Sequence, residues 1–407
     1  MWKQLNGARG DVRTHSAGED VRSQSGFRSG IPALLRQEAT RWITRNYLMA
    51  PEPGPYHHLV LGSSPNSFIN LFQAQWKEHI KSFPKRYQTG KQLVLGSRFR
   101  PLLVSWGYLL SGGDFDEDDR AEIARVAVYV ELLHKATLLI DDLIDQDDTR
   151  NGVPSFHVEF SNNEAILFAI YLLGDCLERL SVATATAHTE KWYPEVMELL
   201  GEAIKNMSLG AIEEVVSPDD QLASISKAKR IIELQTIALI KNGLLTGYKY
   251  GRGNMHHVDT IDSLGYDCGY LFQVLNDLEP FLGADLNVLH KGTVNFDVLR
   301  SRKNITVAFI SDRLSSSERD RLHLLIRSAD PLLPSLLHGW FSKYDVFSSM
   351  LENLRDVHKN IRASINSLPL DVQRRSDFSA FINYVLSGAV RRIGGAYGEK
   401  LSEILIR

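Results

Sequence analysis

Between Val126 and Ile140 the sequence reads VAVYVELLHKATLLI, apolar around most of a helix circumference. Such a helix is normally buried on all sides by other elements. Its neighbours offer helices for that purpose. From Asn66 onward the chain is a succession of apolar segments at helical spacing, and no period-2 stretch is long enough for a sheet. The patterns predict helices over 116–148, 163–182, 193–216, 226–250, 257–279, 303–326, 333–366, 371–387 and 390–406. Asn151-Gly152 is a turn dipeptide that closes the first of these. Ser217-Pro218, followed by Asp219 and Asp220, suits the start of another helix. The expected architecture is all-α, with roughly a dozen helices in one body.

The flanks read differently. Residues 1–30 form a polar tail, a helix is expected from Pro32 to about Tyr47, and 50–65, with four prolines and two glycines, reads as a linker. The expected division is therefore an N-terminal extension over 1–65, partly disordered, and a folded body over 66–407. The longest apolar run, Ala165 to Gly174, is too short to span a bilayer. No secretory signal is visible, Cys176 and Cys268 show no metal or disulfide spacing, and a cytoplasmic location is expected. A net charge of −3 gives no reason to expect nucleic acid as a partner, so phosphate would have to be met by local basic residues.

The apolar helix runs directly into Asp141-Asp142-Leu-Ile-Asp145. Residues four apart share a helix face, so Asp145 stands one turn beyond Asp141 with Asp142 beside them. Carboxylates crowded at the mouth of a buried helix are costly unless a cation neutralises them. Mg²⁺ takes oxygen ligands and is commonly held by a few carboxylates together with substrate phosphate. Alone, DDxxD more often marks a solvated helix end, because carboxylates are mostly exposed. The buried helix before it and a second acidic feature downstream favour the metal site. His134 lies two turns before Asp141 on the same stripe, where a diphosphate contact competes with a simple core role.

The run from Glu131 to Ser155, ELLHKATLLIDDLIDQDDTRNGVPS, resembles the first aspartate-rich region of the trans-isoprenyl diphosphate synthases, or polyprenyl synthetases. Other landmarks follow in order: Gly96-Ser-Arg-Phe-Arg-Pro101 is similar to the basic loop that grips isopentenyl diphosphate, and Phe272-Gln-Val-Leu-Asn-Asp277 resembles the second aspartate-rich region. The resemblance implies an isoprenoid synthase-type helical bundle around a central cavity, with 66–407 as the catalytic domain. It implies Mg²⁺ held by Asp141, Asp142, Asp145 and Asp277, an allylic prenyl diphosphate and isopentenyl diphosphate as substrates, and a homodimer. Arg98, Arg100, His134, Arg150, Gln273 and Lys303 become substrate-binding residues, and Lys241 stands for a catalytic lysine that a threonine normally follows. Diphosphate loss would leave an allylic cation for isopentenyl diphosphate to attack. Thr137 and Ala136, both small, stand where bulky residues cap product growth, which implies a product of about twenty carbons or longer.

The chain also departs from the pattern. Ser97 replaces a lysine, Asn151 an arginine and Asn242 the threonine after Lys241. The second region reads Asn276-Asp277-Leu-Glu-Pro280, with Asn276 and Pro280 in place of two carboxylates, and Pro280 is expected to disturb or end its helix. Two alternatives stay open: a class I terpene synthase-like enzyme that needs no isopentenyl diphosphate, and a non-catalytic partner subunit.

Overall fold

A computed structural model describes residues 55–94, 98–150, 152–186, 193–216, 224–282, 304–328 and 330–406, without the side chains of 182–186. The helix expected at 32–47 and the Ser217-Pro218 start lie outside the described residues. In chain order the helices are α1 (Pro55–Leu61), α2 (Phe68–Ser82), α3 (Lys91–Val94), α4 (Phe99–Leu110), α5 (Glu117–Asp145), α6 (Phe156–Glu159), α7 (Asn162–Thr186), α8 (Tyr193–Val216) and α9 (Ile225–Ile232). There follow α10 (Ala238–Tyr250), α11 (Val258–Leu282), α12 (Ile305–Arg313), α13 (Ser316–Ser328), α14 (Leu333–Lys343), α15 (Val346–Ser367), α16 (Val372–Ile393) and α17 (Gly395–Leu405). Two short strands, β1 (Thr149–Arg150) and β2 (Val153–Pro154), pair antiparallel, with Arg150 opposite Val153.

Helix α5 is the predicted central one, packed against α2, α4 and α7. Asp116 caps its start by accepting from the Asp119 backbone N–H at 2.9 Å. Glu117, Asp118 and Asp119 follow at the positive end of the helix dipole. Its far end carries Asp141, Asp142 and Asp145, where the dipole is negative and carboxylates are disfavoured. Gln146 turns the chain in the left-handed region (φ 54), and the β1–β2 hairpin, with Gly152 at φ 73, brings Arg150 back over the helix end.

The predicted helices are present, but three are broken. The stretch 226–250 contains a π turn at Glu233–Ile237 between α9 and α10. The stretch 303–326 divides because Ser315 and Glu318 form a capping box: the Glu318 carboxylate accepts from the Ser315 N–H at 3.0 Å, and the Ser315 hydroxyl accepts from the Glu318 N–H at 3.4 Å. The stretch 333–366 divides at Asp345, which adopts φ 44. Pro280 does not end α11, which continues to Leu282. One missing N–H near a helix end costs little when Phe281 is anchored on Phe341 and His338, with ring centroids 5.3 and 5.4 Å apart. In the stretch read as a linker, α1 lies against α16, and the backbone N–H of Tyr56 donates to Asp377 at 3.0 Å.

Candidate active site

Helix α5 presents its three carboxylates unequally. Asp141 and Asp145 are partly exposed on one stripe, whereas Asp142 has no exposed surface. Its Oδ2 accepts from Gln92 Nε2 at 2.7 Å, and its Oδ1 accepts from Arg150. Arg150 also reaches Asp141 at 3.3 Å and the buried Asp147 at 3.7 Å. Burial opposes the Arg150 charge, but Asp142 and Asp141 outweigh it and raise its pKa. Asp142 is thus the brace between the hairpin, α3 and α5, and Gln92 is its hub. The side-chain oxygen of Gln92 accepts from the Phe156 N–H at 3.1 Å, and its backbone carbonyl accepts from Lys135 at 2.7 Å.

Two turns before Asp141 along α5, Arg100 donates to Nε2 of His134 at 2.9 Å. The imidazole is therefore neutral with its proton on Nδ1; burial, then the charges of Arg100 and Lys135, hold its pKa well below the ordinary value. Burial lowers Arg100 to about 10, a value that still leaves it charged at neutral pH. Arg98 is turned inward beside this pair. It pairs with Glu131, donates to the Val94 carbonyl at 2.6 Å and stacks over Trp76 at 5.5 Å. Its charge is spent inside the fold.

The second region repeats the exposure pattern of the first. Asn276 and Pro280 are partly exposed, and Asp277 between them is buried at 7%. Asp277 Oδ1 accepts from Gln273 Nε2 at 2.7 Å, and Oδ2 accepts from the Ile305 N–H at 2.7 Å, which ties α11 to the start of α12. Asp277 corresponds in role to Asp142, and the positions that match Asp141 and Asp145 are Asn276 and Pro280. Gln273 also accepts from the Thr236 hydroxyl at 2.9 Å. Thr236 sits in the π turn, a distortion frequent at functional sites. Lys241 is not in this cluster. It pairs with Asp262 at 3.0 Å, and Asn242 is buried with its amide on the Leu199 carbonyl. Lys303, Ser97 and Asn151 lie outside the described residues.

These distances show an α-helical body with a carboxylate pair at one helix end and basic groups behind it. The sequence pattern of the polyprenyl synthetases matches residues 86–331, more than half of the chain. The chain belongs to the polyprenyl synthetase family. It is 27% identical over 183 residues to a nonaprenyl diphosphate synthase of Mycobacterium tuberculosis, covering 45% of this chain and 51% of that protein. The chain thus spans about half the length of that relative. It is 27% identical over 258 residues to a short chain isoprenyl diphosphate synthase of Methanocaldococcus jannaschii, covering 63% of this chain and 75% of that one. A decaprenyl diphosphate synthase structure from Rhodobacter capsulatus shares the fold, with TM-score 0.68 at 21% identity over 82% of this chain and 99% of that one.

Several residues of the site are silent in a sequence reading. Gln92, Asp147 and Thr236 stand in unremarkable local contexts, and Arg392, which contacts the second region from α16, is distant in the chain. Glu131 did carry a signal, as a carboxylate on the buried face of an apolar helix.

The residues at the end of α5 fit Mg²⁺. Two partly exposed carboxylates stand four residues apart at the negative end of a helix dipole, with the buried, hydrogen-bonded Asp142 beside them. Among the described residues no three His, Cys, Asp or Glu side chains converge to hold an ion alone. A cation at Asp141 and Asp145 therefore needs water and phosphate oxygens to complete its shell, as Mg²⁺ commonly does.

Proposed function

We propose that the protein is a Mg²⁺-dependent trans-prenyltransferase that binds an allylic prenyl diphosphate at Asp141 and Asp145 and joins its prenyl group to isopentenyl diphosphate. The partly exposed Asp141–Asp145 pair, next to the Asp142–Arg150–Gln92 brace, carries the reading. Bound there, Mg²⁺ would neutralise the departing diphosphate. Arg150 places a guanidinium beside the same oxygens, and Arg100, aligned by neutral His134, supplies a second cationic contact. The allylic C–O bond breaks with its electron pair leaving on the diphosphate. The double bond of isopentenyl diphosphate then closes a C–C bond, and a proton is lost from the adjacent carbon.

The Thr236 hydroxyl, which donates to Gln273, stands next to Gln235 and faces the second aspartate-rich region from the π turn. Ala136 and Thr137 leave a small wall below Asp141, which supports a product of about twenty carbons or longer. The buried free thiols of Cys176 and Cys268 suit a reducing, cytoplasmic compartment. Exposed apolar side chains on α7 support a homodimer. No helix among the described residues is long and apolar enough to cross a membrane.

A second reading, ionisation of a prenyl diphosphate without isopentenyl diphosphate, is favoured by two observations. Arg98 is committed to Glu131, and Asn276 and Pro280 replace ligands of the second region. Incubation with Mg²⁺ and allylic diphosphates of rising length, with and without isopentenyl diphosphate, separates the two. Longer diphosphates support elongation; hydrocarbon or alcohol formed without isopentenyl diphosphate supports the second reading. Absence of turnover with every substrate would overturn both and leave a non-catalytic partner subunit. Asp145→Asn should lower turnover at least ~100-fold, the scale of losing one charge-stabilising contact in a transition state.

A further inference from the structure

We infer that the second aspartate-rich region binds no metal ion and that Arg392 of α16 supplies its positive charge instead. The inference rests on the proposed diphosphate site. Three observations converge on it. Asp277 has both carboxylate oxygens engaged inside the fold, by Gln273 and by the Ile305 N–H. The partly exposed positions on either side of it, Asn276 and Pro280, offer an amide and a ring where carboxylates would be needed. Lastly, the Arg392 guanidinium stands at this place: its Nη2 donates to Asn276 Oδ1 at 3.3 Å and its Nε pairs with Glu279 Oε2 at 2.8 Å.

The charge count balances. A dication held by carboxylates at 276 and 280 would be neutral as a unit. One guanidinium with one carboxylate, Arg392 with Glu279, is neutral too. An amide at 276 suits the exchange, because its carbonyl oxygen accepts from a guanidinium and, being uncharged, is a poorer Mg²⁺ ligand than a carboxylate. Arg392 is about one-third exposed, so its outer face is open to a phosphate oxygen. Guanidinium is well shaped for that contact and makes it without a metal. The protein would then grip a diphosphate between Mg²⁺ on the α5 side and a fixed cation on the α11 side, with fewer ions per site than two acidic motifs would hold.

The test uses inorganic pyrophosphate as the probe and Mn²⁺ as a countable substitute for Mg²⁺. Pyrophosphate affinity at saturating Mg²⁺ is measured by calorimetry, and Mn²⁺ bound per pyrophosphate by equilibrium dialysis. Arg392→Gln should weaken pyrophosphate about tenfold without changing the Mn²⁺ count, and Arg392→Lys should recover part of that loss. Asn276→Asp combined with Pro280→Asp and Arg392→Gln should raise the Mn²⁺ count. Circular dichroism accompanies each variant, and Arg392→Gln with Glu279→Gln serves if the single variant leaves Glu279 stranded and unfolds. Unchanged affinity in a folded Arg392→Gln protein, or an Mn²⁺ count in the wild type equal to that of the triple variant, would overturn the inference. If wild-type protein binds no pyrophosphate and Asp141→Asn changes nothing, the proposed diphosphate site itself has failed.

Discussion

Two aspartates adjacent in sequence do different jobs at the end of α5. Asp141 faces outward. Asp142 is buried with Gln92 and Arg150 on its two oxygens, so its charge is spent on holding the hairpin against the helix. DDxxD alone shows three equivalent carboxylates, and only burial separates the Asp142 brace from the partly exposed Asp141 and Asp145. Arg150→Met would strand Asp142 and Asp147 as buried carboxylates lacking their shared cation. Breaking a buried pair in this way costs about 3–5 kcal/mol. The midpoint of urea unfolding should fall accordingly, and unfolding at the wild-type midpoint would show that the brace is not structural. His134 is a further case in which position was legible and chemistry was not. Its place on the acidic stripe is evident from spacing, but its neutral state follows from burial and from the nearby guanidinium of Arg100.

Elements fix where these residues stand, and one helix crossing governs much of the site. Helices α4 and α10 approach so closely that a Cβ on Gly107 would lie 2.0 Å from the Leu244 carbonyl oxygen, and one on Gly247 would lie 1.9 Å from that of Val104. Both obstacles are backbone, which cannot rotate away. Arg100 opens α4, and the π turn with Thr236 leads into α10, so the crossing sets the spacing between the two halves of the site. Gly247→Ala should destabilise by about 3 kcal/mol or more and lower activity in step, as read by thermal unfolding and turnover; a wild-type melting temperature would refute the close contact. Helical periodicity made nearly every element legible, because burial of an apolar stripe is a local property of sequence. The breaks were less so. The π turn at 233–237 interrupts a continuous helical pattern, while the Ser315–Glu318 box carries a recognisable signature within 303–326. Thr236 illustrates the limit: its contact with Gln273 is made from a turn that periodicity cannot show.

At the scale of the molecule, α7 is apolar on two sides. Ala165, Phe168, Leu172 and Cys176 are buried in the core, while Ile166, Leu167, Ile170 and Leu177 remain exposed, Leu167 at 65% and Ile170 at 59%. A soluble surface rarely leaves so many neighbouring apolar side chains uncovered. Gly174 lies on the same side, and a Cβ there would meet nothing within 4 Å, which leaves room for a close approach. Helix α8 adds Leu209 and Ile212, also exposed. A second copy is the simplest cover, because a two-fold axis through the patch matches each apolar residue with an apolar counterpart. A covered α7 would also stiffen α5, against which its inner side packs, and so steady the carboxylate pair at the end of that helix. Leu167→Glu combined with Ile170→Glu would place four like charges within one two-fold interface. Light scattering after size exclusion should then report a dimer for the wild type and half that mass for the variant, with unchanged helical circular dichroism. A wild-type protein that stays monomeric at micromolar concentration, or a variant that stays dimeric, would show that this face is not where copies meet.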